Sequence, residues 1–178
     1  NGCADADVIG FSVTSFQIKH AINLVSQIRE VNSKATIVFG GYGVSGLSPQ
    51  QNLEMYGDTA DYFIQGPGEE AWVDVLLNHP FNKVLRNPPP EDLNKYPYPD
   101  RELIKIERNF EKLRNRGEGR KTSMEMQRGG CPFRCIFCAA SSYCRPFKRT
   151  RTAENIIGEM ELLKERYGMA AGTMLLMS

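Results

Sequence analysis

Three cysteines, Cys131, Cys135 and Cys138, stand within eight residues of a 178-residue chain, at the spacing C-x3-C-x2-C. Gly129-Gly130 before the first of them and Pro132 after it force a loop rather than a helix or strand. A loop lets three side chains converge on one point, and converging thiolates bind a soft metal. Zinc in a structural site takes four protein ligands. Three thiols instead suit a [4Fe–4S] cluster with three irons held by protein and one left open. An open iron can bind substrate or cofactor, so the loop reads as a catalytic centre. The alternative is a four-cysteine zinc or structural iron–sulfur site that recruits Cys144. Zinc sites, however, usually show two separated cysteine pairs. On the cluster reading, Cys144 is a thiol near the site and Cys3 an unrelated one.

The rest of the composition bounds the setting. Five cysteines in a chain without a signal-peptide pattern fit a reducing cytoplasm, where disulfides are rare. A formal net charge of +1 gives no reason to expect nucleic acid or a membrane surface as partner. No apolar run approaches the roughly 20 residues of a membrane helix. A hydrophobic fraction of 41% supports a real core, in one domain or two small ones. The chain starts directly into a strand and stops in an apolar run, so it reads as a piece of a longer protein.

The elements that must position these residues follow in order. Asp7–Val13 is a short apolar run fit for a buried parallel strand, with Thr14 or Ser15 as a cap for the helix after it. Ala21, Leu24, Val25, Ile28 and Val31 give that helix one apolar face. Ala35–Phe39 is a second strand, ending in Gly40-Gly41. Ser48-Pro49 starts a helix that Gly57 closes. Ala60–Ile64 is a third strand, ending in Gly66-Pro67-Gly68-Glu69-Glu70, and a last helix runs through Ala71 and Leu77. Such alternation predicts an α/β fold with a Rossmann-like parallel sheet. Ligands bind these sheets at the carboxyl edge, here Ser12-Val13-Thr14, Gly40-Gly41 and Gly66. Small residues at strand ends are also ordinary turn chemistry.

Prolines at 80, 88–90, 97 and 99 make residues 79–101 read as a stiff linker. Residues 102–120, charged and punctuated by glycine, read as an exposed excursion. Thr122–Gln127 alternates as a strand that delivers the cysteine loop. Arg145–Arg151 reads as a basic loop, solvated or recognising carboxylate or phosphate. Thr152 caps a helix with Ile156, Ile157, Met160, Leu163 and Tyr167 on one face, ended by Gly168. Leu175 and Leu176 belong to the next strand.

The cysteine loop resembles the signature of the radical S-adenosylmethionine (radical SAM) superfamily, C-x3-C-x-aromatic-C, with Phe137 at the aromatic position. That resemblance implies that Cys131, Cys135 and Cys138 hold a [4Fe–4S] cluster and that Phe137 packs beside the adenine of S-adenosylmethionine. It also implies the start of a partial (β/α) barrel in the strand-loop-helix-strand order after residue 121, whose active sites lie at the carboxyl ends of the strands. Residues 5–77 resemble the later half of the cobalamin-binding domain that precedes many radical SAM cores. The carriers are Ser12-x-Thr14, Gly40-Gly41 and Gly66-Pro67-Gly68-Glu69, with the dimethylbenzimidazole tail threading between the first two. The family's cobalt-facing Asp-x-His-x-x-Gly loop would lie before Asn1, and His20, early in a helix, is no substitute. Tyr96–Arg101 resembles the Pro-x-Pro-Asp-Arg segment joining the two domains.

The organisation this implies is 1–78 cobalamin-binding-like, 79–120 proline-rich linker and charged excursion, and 121–178 the first part of a radical SAM core. The implied activity is methyl transfer to an unactivated carbon of a small-molecule or peptide substrate through a 5′-deoxyadenosyl radical and methylcobalamin. An electron donor such as flavodoxin or ferredoxin is implied with it. Two other readings stand beside it. One is a radical SAM cyclase, rearrangement or oxidation enzyme that uses no cobalamin. The other is a non-catalytic metal module using Cys131, Cys135, Cys138 and Cys144.

Overall fold

Valine, isoleucine and phenylalanine fill both faces of the first strands, as a sheet covered on both sides demands. The computed structural model of the chain describes residues 3–88, 90–129, 133, 135–138, 148–169 and, as backbone, 174–177. It divides into two compact units, Asn1–Pro89 and Pro90–Ser178.

The first unit is a Rossmann-like parallel sheet of four strands in the order β1-β2-β3-β4. They are β1 (Val8–Ser12), β2 (Thr36–Gly40), β3 (Tyr62–Gln65) and β4 (Val84–Arg86). Register pairs Ser12 with Gly40 and Gln65 with Arg86, so every strand ends at one edge. Side chains alternate between faces. Ile37, Phe39 and Phe63 pack with Ala21 and Val25 of α1 (Ile18–Val31) and with Val44 of α2 (Tyr42–Ser45). Val38 and Ile64 pack on the other face with Ala71 and Val75 of α4 (Glu69–Asn78). Between these helices, α3 (Pro49–Tyr56) starts at Ser48 in a reciprocal capping box with Gln51, as the Ser-Pro signal predicts. Trp72 of α4 lies across β1 at Gly10, where any Cβ would meet its ring at 2.8 Å.

Three local expectations are corrected here. Neither Thr14 nor Ser15 caps α1: Gln17 stands at the N-cap without a side-chain bond. Gln17 instead folds its own amide oxygen back onto the Thr14 backbone N–H and hydroxyl, each at 3.0 Å. Val31, assigned to the apolar face, is exposed because the face narrows toward the helix end. Residues 84–86, inside the expected linker, form β4, because Val84 and Leu85 have apolar partners on opposite faces of the sheet.

The second unit is built on β5 (Thr122–Glu125) and β8 (Met174–Met177), which pair in parallel. The helix α6 (Ala153–Tyr167) crosses between them, capped by Thr152 and closed by Gly168 at φ 62°, as the sequence predicts. The expected excursion contains α5 (Ile106–Asn115). Its Ile106 and Phe110 are buried against Met124, Leu163 and Tyr167. The expected basic loop holds β7 (Lys148–Thr150), which pairs antiparallel with β6 (Gln127–Gly129). No helix among the described residues is long and apolar enough to cross a membrane.

Candidate functional site

Two candidate sites emerge, one in each unit. The first is the carboxyl edge of the four-stranded sheet. Ser12 and Thr14 are exposed there, and the Val13 N–H donates to the Gly40 carbonyl at 2.9 Å. Gly40 would accept a small side chain: a Cβ added to it would make ordinary contact with the Ile64 carbonyl oxygen at 3.7 Å. Gly41 is different. It has φ 87°, and a Cβ there would meet the Val13 carbonyl oxygen at 2.8 Å and Ser12 Oγ at 3.1 Å. Its glycine is therefore required by the close approach of two loops and by a left-handed backbone. Gly66, at φ 83°, donates its N–H to Ser45 Oγ at 3.0 Å.

Two buried amides missed in the sequence hold this edge in shape. Asn52 of α3 donates to the Val44 carbonyl at 2.9 Å, and Gln65 at the end of β3 donates to the Leu47 carbonyl at 2.7 Å. Both tie the stretch after Gly41 down from below, and Asn52 Oδ1 is buried with no hydrogen-bond partner among the described residues. Phe16, on the loop after β1, is 99% exposed, and Tyr42 beside Gly41 is exposed too. The signal for these was an aromatic placed in a polar turn. An edge with exposed hydroxyls, small residues and outward aromatics fits a large, partly apolar ligand with hydrogen-bonding groups.

The second candidate site is the thiol loop. In sequence, residues 130–147 run from β6 to β7, so this antiparallel ribbon is the stalk of the stretch that holds Cys135 and Cys138. Cys135 and Cys138 are half-buried on one turn, with the Cys138 N–H donating to the Cys135 carbonyl at 3.1 Å. Between them Ile136 and Phe137 turn outward, Phe137 being 88% exposed, with Phe133 exposed nearby. Cys131 and Cys144 lie outside the described residues. Among the described residues no group of three or more histidine, cysteine or acidic side chains forms a metal site. The described donors are thiols alone, a soft set that fits an iron–sulfur cluster and not a hard cation.

The feet of the stalk rest on a buried charge network. Glu159 of α6 is 1% exposed, and its two oxygens accept from Arg101 at 2.7 Å and Arg151 at 2.5 Å. Arg151 also donates to the Glu125 carbonyl at 2.9 Å and to Asn155 Oδ1 at 2.6 Å. Arg101 reaches the Ser123 carbonyl at 3.0 Å. The arginine that ends the Pro-x-Pro-Asp-Arg segment is thus a buried anchor of the second unit. Arg151, weighed above as a solvated or ligand-binding residue, is occupied by the protein itself.

Residues 4–76 match the sequence model of the B12 binding domain family. An uncharacterized methyltransferase of Pyrococcus horikoshii is 24% identical over 93% of this chain, which spans 38% of that relative's length. Among solved structures, the N-terminal domain of a hypothetical protein of Thermotoga maritima is 24% identical. That match covers 45% of this chain and 61% of that one, with a TM-score of 0.37.

Proposed function

We propose that this chain belongs to a cobalamin-dependent radical S-adenosylmethionine enzyme, and that the enzyme transfers a methyl group to an unactivated carbon. The observation that carries the reading is the coincidence, in one chain, of a B12 binding domain match over residues 4–76 with a soft thiol loop on its own stalk. A relative named a methyltransferase supports the reaction class.

In this reading Ser12, Thr14 and Gly40 hold cobalamin at the carboxyl edge, by hydroxyl hydrogen bonds and by a backbone without a side chain. Gly41 and Gly66 shape the loops that form its walls. Cys135 and Cys138, with Cys131, hold a [4Fe–4S] cluster, and Phe137 offers its exposed ring to the adenine of S-adenosylmethionine. When bound, the cluster supplies electrons for reductive cleavage of S-adenosylmethionine and cobalamin supplies a methyl carrier. The chain's own part is to hold the two groups, to present Phe137 and to fix the direction of the thiols. The substrate is a small molecule or peptide, an electron donor of the flavodoxin or ferredoxin kind completes the system, and the cytoplasm is its compartment.

Anaerobic reconstitution of the intact protein with iron, sulfide and cobalamin tests this. The expected result is about four iron and four sulfide per chain, together with corrin absorbance that survives gel filtration. Zinc retained through Cys144 and no iron would replace this reading with a structural metal module. A cluster without corrin would leave a radical enzyme that does not use cobalamin.

A further inference from the structure

The stalk that carries the cysteines has only six paired residues, Gln127–Gly129 against Lys148–Thr150, and a two-stranded ribbon of that size is not stable by itself. Something must hold it upright. β6 starts just after Met126, and β7 ends just before Arg151. The Arg151 backbone N–H donates to the Met126 carbonyl at 2.9 Å, which closes the foot of the ribbon. The Arg151 guanidinium then fixes that foot to the unit's core through the Glu125 carbonyl, Asn155 and Glu159. Glu159 carries Arg101 on its other oxygen, and Arg101 in turn holds the Ser123 carbonyl of β5. One buried carboxylate therefore joins the strand before the stalk, the residue after it and the proline-rich strap at 97–101. Tyr98 of that strap donates to the Asn155 carbonyl at 3.0 Å and lies 5.5 Å from the Arg151 guanidinium.

We infer that Glu159, gripping Arg101 and Arg151, is the positioning residue that sets where the cysteine stalk stands and hence where its thiols point. This rests on the reading of the thiols as cluster ligands. A neutral residue at 159 leaves two guanidiniums facing each other in a buried place, and charges left unpaired there rearrange or draw in water. The foot of the ribbon then detaches while its six-residue ladder stays formable. Apolar contacts between α5, β5 and α6 remain, so the unit keeps its core. Because the planar Arg151 guanidinium reaches Glu159, the Glu125 carbonyl and Asn155 at once, lysine at 151 keeps the charge and loses most of these contacts.

The test compares wild type, Glu159→Gln, Arg151→Lys and the control Glu161→Gln, an exposed position on the same helix, in the intact protein. Two readouts are taken: amide hydrogen exchange of residues 127–129 and 148–150 in iron-free protein, and the electron paramagnetic resonance spectrum of the reduced, reconstituted cluster. Glu159→Gln is expected to speed ribbon exchange about tenfold and to shift and broaden the cluster signal. Arg151→Lys, which perturbs the fold less, is expected to do both to a smaller degree, and Glu161→Gln neither. Ribbon exchange and cluster spectra unchanged in both network variants would overturn the inference. Wild type that takes up no iron would overturn the cluster reading, while ribbon exchange in the same iron-free samples still decides what Glu159 holds.

Discussion

The two units position their candidate ligands by opposite means. In the first, loops at the sheet edge are brought together by absence: Gly41 lets the Val13 carbonyl come so near that no Cβ would fit. Neutral amides, Asn52 and Gln65, secure those loops from beneath. In the second, a ribbon with almost no apolar surface is held by charge, through Glu159 and two arginines. The difference follows from what each place must carry. A large ligand lying on a sheet edge needs room and shape, which small residues give. A thiol loop between two short strands needs direction, which a guanidinium reaching a carboxylate, a carbonyl and an amide at once gives better than packing does.

The largest effect should separate the two units outright. Cys135→Ala or Cys138→Ala should abolish iron and sulfide uptake and leave corrin uptake at the wild-type level, measured on one sample by metal analysis and absorbance. Joint loss of both ligands would break the comparison, since it would make the two sites one. Next comes Arg101→Ala, which leaves Glu159 with a single partner in a buried place. It should cost the second unit about 3 kcal/mol in denaturant unfolding without moving the transition of the first. Gly41→Val should destabilise the first unit by roughly 2 kcal/mol, because a β-branched residue there has both the wrong φ and a backbone clash. Gly40→Ala should leave stability unchanged and reduce corrin uptake. If Gly40→Ala instead unfolds the sheet edge as Gly41→Val does, Gly40 is required by the fold and not by a ligand.

The smallest effect is a pH dependence confined to the second unit. Burial, aided by the hydrogen bond to Glu102 at 2.9 Å, holds the Tyr167 hydroxyl above the usual tyrosine pKa. The fold therefore favours its neutral form. The stabilisation is complete below about pH 10 and is lost as pH rises through the higher folded value. Tyr167→Phe should remove that alkaline limb from the second unit's unfolding curve. An identical limb in the variant would place the titration elsewhere.

Much of the first unit was legible because its information is local. Strand runs, the Ser48-Pro49 start and the closing glycines each act within a few residues of themselves. What escaped was non-local or disguised. β4 was hidden because Val84 and Leu85 stand near a run of prolines, although two apolar residues suffice when a sheet edge waits for them. α5 was hidden by charge, yet Ile106, Phe110 and Leu113 carry the four-and-three spacing that would have revealed it. The ribbon and its anchor could not be read at all. Pairing of Arg128 with Arg149, or of Arg101 with Glu159 across 58 positions, depends on the fold and leaves no mark in either neighbourhood. At the sheet edge the residue types were legible but their reasons were not, since one glycine of the Gly40-Gly41 pair leaves room and the other takes it away.

The indole at Gly10 has a use beyond packing. Trp72 is the single tryptophan of the chain, and it lies over β1 two residues before Ser12. At about 3.3 Å per residue along a strand, the ring sits on the order of 7 Å from the edge where a corrin would bind. Indole emission from this protein thus comes from the first unit alone, and a strongly absorbing macrocycle arriving at that edge would darken it. The chain carries a built-in optical reporter beside the sheet edge, and loss of its light on titration with cobalamin would give occupancy there without any label.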